Sequence, residues 1–226
     1  MGSEFYIITI IISMVVCSGS IECIRILQGG MSEMAISAKD GKLLYHLTHL
    51  DNLASILEWG LQPRSSLKED LFKDTADQGI IAGRSLYEED LARYVPFHFF
   101  ARNPYDGAVC KNFGSENMAI IAIWRPQKPF KGYYIIPNHP LSGKPEFLPY
   151  QDGFEKVRWD LIDTRDYLND EIKQMCMAEC DVDHPIAPQD FAFIYVKTEE
   201  AGEIVRRLCG NGPLAKRVQV SPYMFP

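Results

Sequence analysis

Much that would mark a function at sight is missing from these 226 residues. There is no Gly-x-Gly-x-x-Gly and no Gly-x-x-x-x-Gly-Lys-Ser/Thr, so neither common phosphate loop is available to a nucleotide. None of the six cysteines forms a Cys-x-x-Cys pair, and a chain of this length needs no disulfide framework. The longest apolar run, 5-FYIITIIISMVVC-17, falls short of the roughly 20 residues of a membrane-spanning helix. No Lys or Arg precedes it, and Glu4 stands where a signal peptide carries positive charge. Positive charge is short overall: 23 Lys and Arg against 30 Asp and Glu leave a net charge of −7. That balance excludes a protein that coats nucleic acid through its overall field. Contact with a polyanion would need a local patch. Repeats and low-complexity tracts are absent as well.

What remains is an ordinary globular composition, 46% hydrophobic and 23% charged, sized for one domain and read as cytoplasmic. The first thirty residues stand apart. "GSEF" reads like translated cloning sites, and 27-LQGGM-31 like a ribosome-binding sequence read through as protein. Residues 1–30 are therefore expected to be a vector-derived or non-native extension, with the domain at 31–226.

Periodicity predicts a buried strand at 43-LLYHLTH-49 with a polar end. A helix follows at 51-DNLASILEWG-60, capped by Thr48 or Asp51 and stopped by glycine. Residues 62–79 read as loop and 80–94 as helix. The run 95-VPFHFFAR-102 reads as a strand, with a proline tolerable only near its start or at an edge. The clearest buried strand is 118-MAIIAIWR-125, and the proline-rich segment 126–153 reads as irregular. Residues 166–180 turn from helix to extended chain. A strand at 191–197 leads into a helix at 198–210, capped by Thr198 with Glu199 and Glu200 in its first turn. Residues 217–226 read as a last strand. Strands and helices mix without a regular βαβ period, which is the pattern of an α+β domain.

Three features could carry chemistry. Strand alternation sends His46 and Thr48 to one face and His49 to the other. The pair is either a capping group at a strand end or a ligand-orienting pair at a cleft mouth. The opposite-face placement counts against a ribonuclease-like acid–base couple of His46 with His49. Glu179, between apolar and thiol neighbours in 175-MCMAECDV-182, is either exposed by alternation or held where its desolvation is compensated. Arg84 follows a buried-looking turn. Cys176, Cys180 and His184 are spaced by four and could share a helical face. Three ligands with Pro185 behind them do not make a tetrahedral site, and no metal is expected.

The segments 45-YHLTHLDNLASILEWGL-61, 94-YVPFHFFARNP-104 and 178-AECDV-182, with 222-PYMF-225 more weakly, resemble the DarT family. These are DNA ADP-ribosyltransferase toxins paired with DarG macrodomain antitoxins. The resemblance implies the split, mostly antiparallel two-sheet core of ADP-ribosyltransferases with flanking helices and NAD⁺ in the cleft. It also implies a single-stranded DNA substrate and no membrane. It gives His46, Thr48 and Asn52 to the nicotinamide side of NAD⁺, and Glu179 to catalysis. Arg84 becomes the catalytic and cofactor-binding arginine, with Arg93 and Arg102 as fallbacks. Tyr94, His98 and Arg102 are the expected acceptor-side residues; alternation puts His98 opposite Phe97 and Phe99. The short stretch between Arg84 and Val95, with 96-PFHFFARNPYDG-107, looks closer to the guanine-modifying branch than to the thymine-modifying one. A non-catalytic NAD⁺ or nucleic-acid binding module, or a transferase acting on RNA or protein, is the alternative.

Overall fold

A computed structural model describes residues 37–67, 72–75, 90–141 and 146–226. The N-terminal extension, the expected helix at 80–94 up to residue 89, and Arg84 lie outside them.

Eight strands form one hydrogen-bonded sheet in the order β5-β4-β6-β2-β1-β3-β7-β8. Their ranges are β1 Leu43–His49, β2 Val95–His98, β3 Met118–Trp124, β4 Tyr133–Ile136, β5 Leu148–Pro149, β6 Glu179–Val182, β7 Phe191–Val196 and β8 Val218–Val220. The pairs are antiparallel except β7 with β8. Helices α1 Leu53–Trp59, α2 Pro104–Phe113, α3 Tyr150–Lys156, α4 Trp159–Ile162, α5 Asp170–Met175 and α6 Glu199–Cys209 flank it.

β3 explains the centre. Ala119, Ile121 and Ile123 enter one core with Leu44, Phe97, Phe191 and the apolar faces of α1, α4 and α6. Met118, Ile120 and Ala122 enter a second core with Leu47, Val109 and Phe225. A strand buried on both faces must be apolar throughout, as this one is.

The split expected of the core is present as a seam. β1 and β3 pair along the whole of β1, from Leu43↔Trp124 to His49↔Met118. β1 and β2 pair only at Tyr45↔His98. Pro96 gives the reason. Its carbonyl faces β1, since it accepts from His46 Nδ1 at 2.8 Å, and in a strand the amide of the same residue points the same way. The next rung of that ladder therefore calls on an N–H that proline lacks. The strands part there, leaving four strands on either side.

Two expectations are corrected. Segment 126–153 is not irregular: it carries β4, β5 and most of α3. The last strand is only Val218–Val220, with a 3₁₀ turn at Pro222–Met224 behind it.

Candidate active site

The end of β1 is a polar knot, built differently from the expected cap. His49, not Thr48 or Asp51, meets the first turn: its Nδ1 lies 3.1 Å from the Asp51 amide and 3.2 Å from Asp51 Oδ2. Its Nε2 meets Lys73 Nζ at 3.0 Å. Burial holds the His49 imidazole below its ordinary value, against the pull of Asp51 and with the help of Lys73. Alternation holds: His49 packs by Phe113 on one face, while His46 meets Phe97 on the other.

Thr48 and Asn52 are buried, one turn apart, and bonded to each other at 3.1 Å. The Asn52 amide also accepts from Lys73 N at 2.6 Å and donates to Lys73 O at 2.9 Å, the two bonds of a strand pair made by one side chain. It thereby pins residues 72–75 over the site. Gly60 (φ +81°) ends α1 where a Cβ would stand 2.5 Å from Ile186 O.

Two cavities meet at the seam. The larger, about 620 Å³, is lined by His46, Thr48, Asn52, Lys73, Tyr94 and Tyr105 among others. The smaller, about 90 Å³, is lined by His98, His139, Met177 and Glu179. Both share His46, Leu47, Pro96 and Tyr105. His46 Nδ1 donates to the Pro96 carbonyl, which can only accept, so the neutral ring presents Nε2 as its acceptor. His98 is set the same way, with Nδ1 on Ala178 O at 3.2 Å. Glu179 begins β6 directly across from His98 and is 8% exposed. Alternation sends Cys180 and Val182 into the core, so Glu179 shares the face of His98. Behind them, burial raises the Asp106 carboxyl to about 6. His98 and the hydrogen bonds from the Arg102 and Asn103 region pull the other way.

The sequence-predicted residues thus gather unequally. His46, Thr48, Asn52 and Tyr94 line the larger cavity, and His46, His98 and Glu179 the smaller. Arg102 lines neither; it is exposed at φ 63°, and its backbone serves Asp106 and Tyr167. Arg93 is also exposed and outside both linings. Sequence reasoning missed Arg64, which lines the larger cavity beside its ion-pair partner Asp74, and missed Lys73. Both sit in a polar loop with no periodic signal. The Cys176–Cys180–His184 spacing makes no helical face: α5 ends at Met175 and β6 begins at Glu179. Both thiols are buried in the core, burial pushes them up, and exposed His184 pairs with Asp183. Among the described residues no helix is long and apolar enough to cross a membrane.

A family profile described as "DarT: ssDNA thymidine ADP-ribosyltransferase, DarT" matches residues 45–226. No curated protein matches the sequence. Among solved structures, Thermus sp. 2.9 DarT in complex with ADP-ribosylated ssDNA superposes with a TM-score of 0.71 at 20% identity, over 83% of this chain and 97% of that one. The same protein in complex with NAD⁺ gives 0.67 at 19%, over 83% and 98%. Thermosipho africanus DarTG in complex with ADP-ribose gives 0.67 at 22%, over 81% of this chain and 51% of that one. At these identities the structural likeness is one of fold, and the profile match carries the assignment: the chain belongs to the DarT family of NAD⁺-dependent DNA ADP-ribosyltransferases.

Proposed function

We propose that this protein is a toxin that transfers ADP-ribose from NAD⁺ to a base of single-stranded DNA, releases nicotinamide and so blocks replication. One observation carries the reading: a cavity of dinucleotide size and a small pocket lined by a buried glutamate lie side by side at a seam, with His46 in both walls. The larger cavity suits NAD⁺, with His46 Nε2, Thr48 and Asn52 on the nicotinamide ribose and carboxamide. Arg84, matched by sequence alone, is assigned to the pyrophosphate and to catalysis, since guanidinium pairs bidentately with phosphate. When the C1′–N bond breaks, its electron pair leaves with nicotinamide and the ribose becomes an oxocarbenium-like cation. Glu179 stabilises that cation and receives the proton lost by the attacking base nitrogen.

On the acceptor side, His98 faces the incoming base, and Tyr94 contacts the DNA strand beside it. Arg102, exposed beyond β2, suits a phosphate of the strand rather than the base. Unpaired DNA spares the few kcal/mol of extracting a base from a duplex. Guanine is the acceptor we propose, on the short segment before Val95 and on residues 96–107. Thymidine is the second reading, because the matched family description names it. Residues 31–226 are read as the transferase domain, cytoplasmic and held in check by a DarG-type macrodomain antitoxin. NAD⁺ is its co-substrate, and the reading requires no metal.

Mass spectrometry of guanine-only and thymine-only single-stranded oligonucleotides, incubated with the protein and NAD⁺, tests this. One added ADP-ribose with stoichiometric nicotinamide is expected on the guanine strand. An adduct only on the thymine strand reverses the base, and one only on RNA or protein replaces the substrate. Intact NAD⁺ with no adduct anywhere overturns the activity.

A further inference from the structure

One aromatic cluster belongs to neither core. Tyr94, Tyr134 and Phe147 pack on one another, with ring centroids 5.7 Å apart for Tyr94–Tyr134, 5.0 Å for Tyr94–Phe147 and 4.8 Å for Tyr134–Phe147. The last pair is stacked at 16°. All three are half-buried, and neither hydrophobic core of the described residues includes them. They come from three separate stretches: the turn before β2, β4, and the approach to β5. Large rings gathered from three places and left partly in water do little for the fold. They are the kind of surface a flat apolar ligand covers.

Their position on the sheet says which ligand. Tyr134 lies opposite Asp181 of β6, which lies opposite Pro96 of β2. The next row on the same face is Ile136, Glu179, His98. With strands about 4.8 Å apart and same-face residues about 6.7 Å apart along a strand, the Cα atoms of Tyr134 and Glu179 are separated by about 8 Å. Tyr94 joins the cluster to the seam, since it lines the larger cavity beside Pro96. The platform is thus continuous with the cleft and on the face of its glutamate. We propose that Tyr94, Tyr134 and Phe147 form a stacking platform for an unpaired nucleobase that neighbours the modified base in the DNA strand. This rests on the reading of the cleft as a single-stranded DNA ADP-ribosyltransferase site.

The chain's charge supports the same division of labour. A protein of net charge −7 draws a polyanion weakly, so stacking, which every base can supply, has to hold the strand. The platform is tolerant of sequence. It orders the strand without choosing the acceptor, which is left to the pocket around Glu179 and His98.

The test compares wild type, Tyr134→Ala, Phe147→Ala and Tyr134→Phe, each with NAD⁺ and a single-stranded oligonucleotide carrying one modifiable base. The same oligonucleotide is then given an abasic residue at each flanking position in turn. The two alanine variants should raise the oligonucleotide KM roughly 5- to 140-fold, the equivalent of about 1–3 kcal/mol of stacking. They should leave kcat and the KM for NAD⁺ near wild type, and Tyr134→Phe should behave as wild type. At one flanking position the abasic change should cost wild type the same factor and cost Tyr134→Ala nothing further, the non-additivity of two groups in contact. An unmoved oligonucleotide KM in both alanine variants overturns the platform. So does a KM for NAD⁺ that rises in step, or additivity at every abasic position. If wild type modifies no oligonucleotide, the activity itself fails. Fluorescence anisotropy with the same labelled strands then still decides the platform: equal Kd for wild type and the alanine variants rejects it, and a Kd raised by the same factor upholds it.

Discussion

On one side of the seam, β1, β3 and β7 are long, run in register over most of their length and contribute residues to both cores. On the other, β2, β4, β5 and β6 are short. One face of that half carries His98, Glu179, Asp181 and Tyr134, residues a core has no use for. The first half is built to be stable and the second to present polar groups. Stability is drawn from long ladders and apolar burial. Chemistry is placed where the ladder is interrupted, because an interrupted sheet leaves room for a ligand between its strands. His46 and Thr48 are the candidate site residues carried by a long strand, and His46 reaches across the gap to Pro96.

Substitutions on either side should fail in different ways. Glu179→Ala should lower kcat for ADP-ribose transfer by at least about 100-fold, the scale of losing a positioned charge-stabilising group. Its melting temperature should stay near wild type. Mass spectrometry and a thermal melt report the two quantities, and full activity in this variant would remove the glutamate from the mechanism. Ile121→Ala, at a fully buried site in β3, should do the reverse. It should lose about 2–5 kcal/mol in denaturant unfolding while the folded fraction keeps its specific activity.

Asn52→Ala sits on the boundary. It removes the bonds to Thr48 and to both backbone groups of Lys73, so about 1–3 kcal/mol of stability and a several-fold rise in the KM for NAD⁺ should appear together. A change in KM alone would mean that segment 72–75 is held by something else.

Asp106 gives the most pH-specific effect. Its carboxyl is raised from 3.8 to about 6 by burial, so the folded protein binds the extra proton between those values. Stability on this account is greatest below pH ~4 and falls as pH rises through 6. Asp106→Asn should therefore remove that fall. It should be more stable than wild type by on the order of 1–3 kcal/mol at pH 7–8 and no different near pH 4. Melting curves across that range check it.

Legibility followed the same division. β1, β3 and β7 stood out as apolar runs, and α6 through its Thr198 cap, whose hydroxyl does accept from the Ala201 amide at 3.2 Å. β4 and β5 did not, because short strands between prolines lack the periodicity that marks a strand. In the site, alternation separated His46 and Thr48 from His49 and put His98 opposite Phe97, as the structure has them. The cap was misjudged because hydroxyl and carboxylate are the usual partners of a first turn, and a histidine ring took the place. Lys73 and Arg64 gave no signal. Their loop meets β1 and α1 only after the chain has returned to them, and that return is written in hydrogen bonds between residues 21 or more positions apart.

By itself the sequence determined which segments must be buried, which faces of β1 and β2 carry polar groups, and to which family the motifs belong. Each depends on near neighbours: side-chain alternation along a strand, spacing around a helix, a residue string. Only the tertiary structure decided where the sheet opens and what meets there. A cleft is formed by strands distant in the chain, and whether two of them pair or part at Pro96 turns on one missing amide facing one particular neighbour.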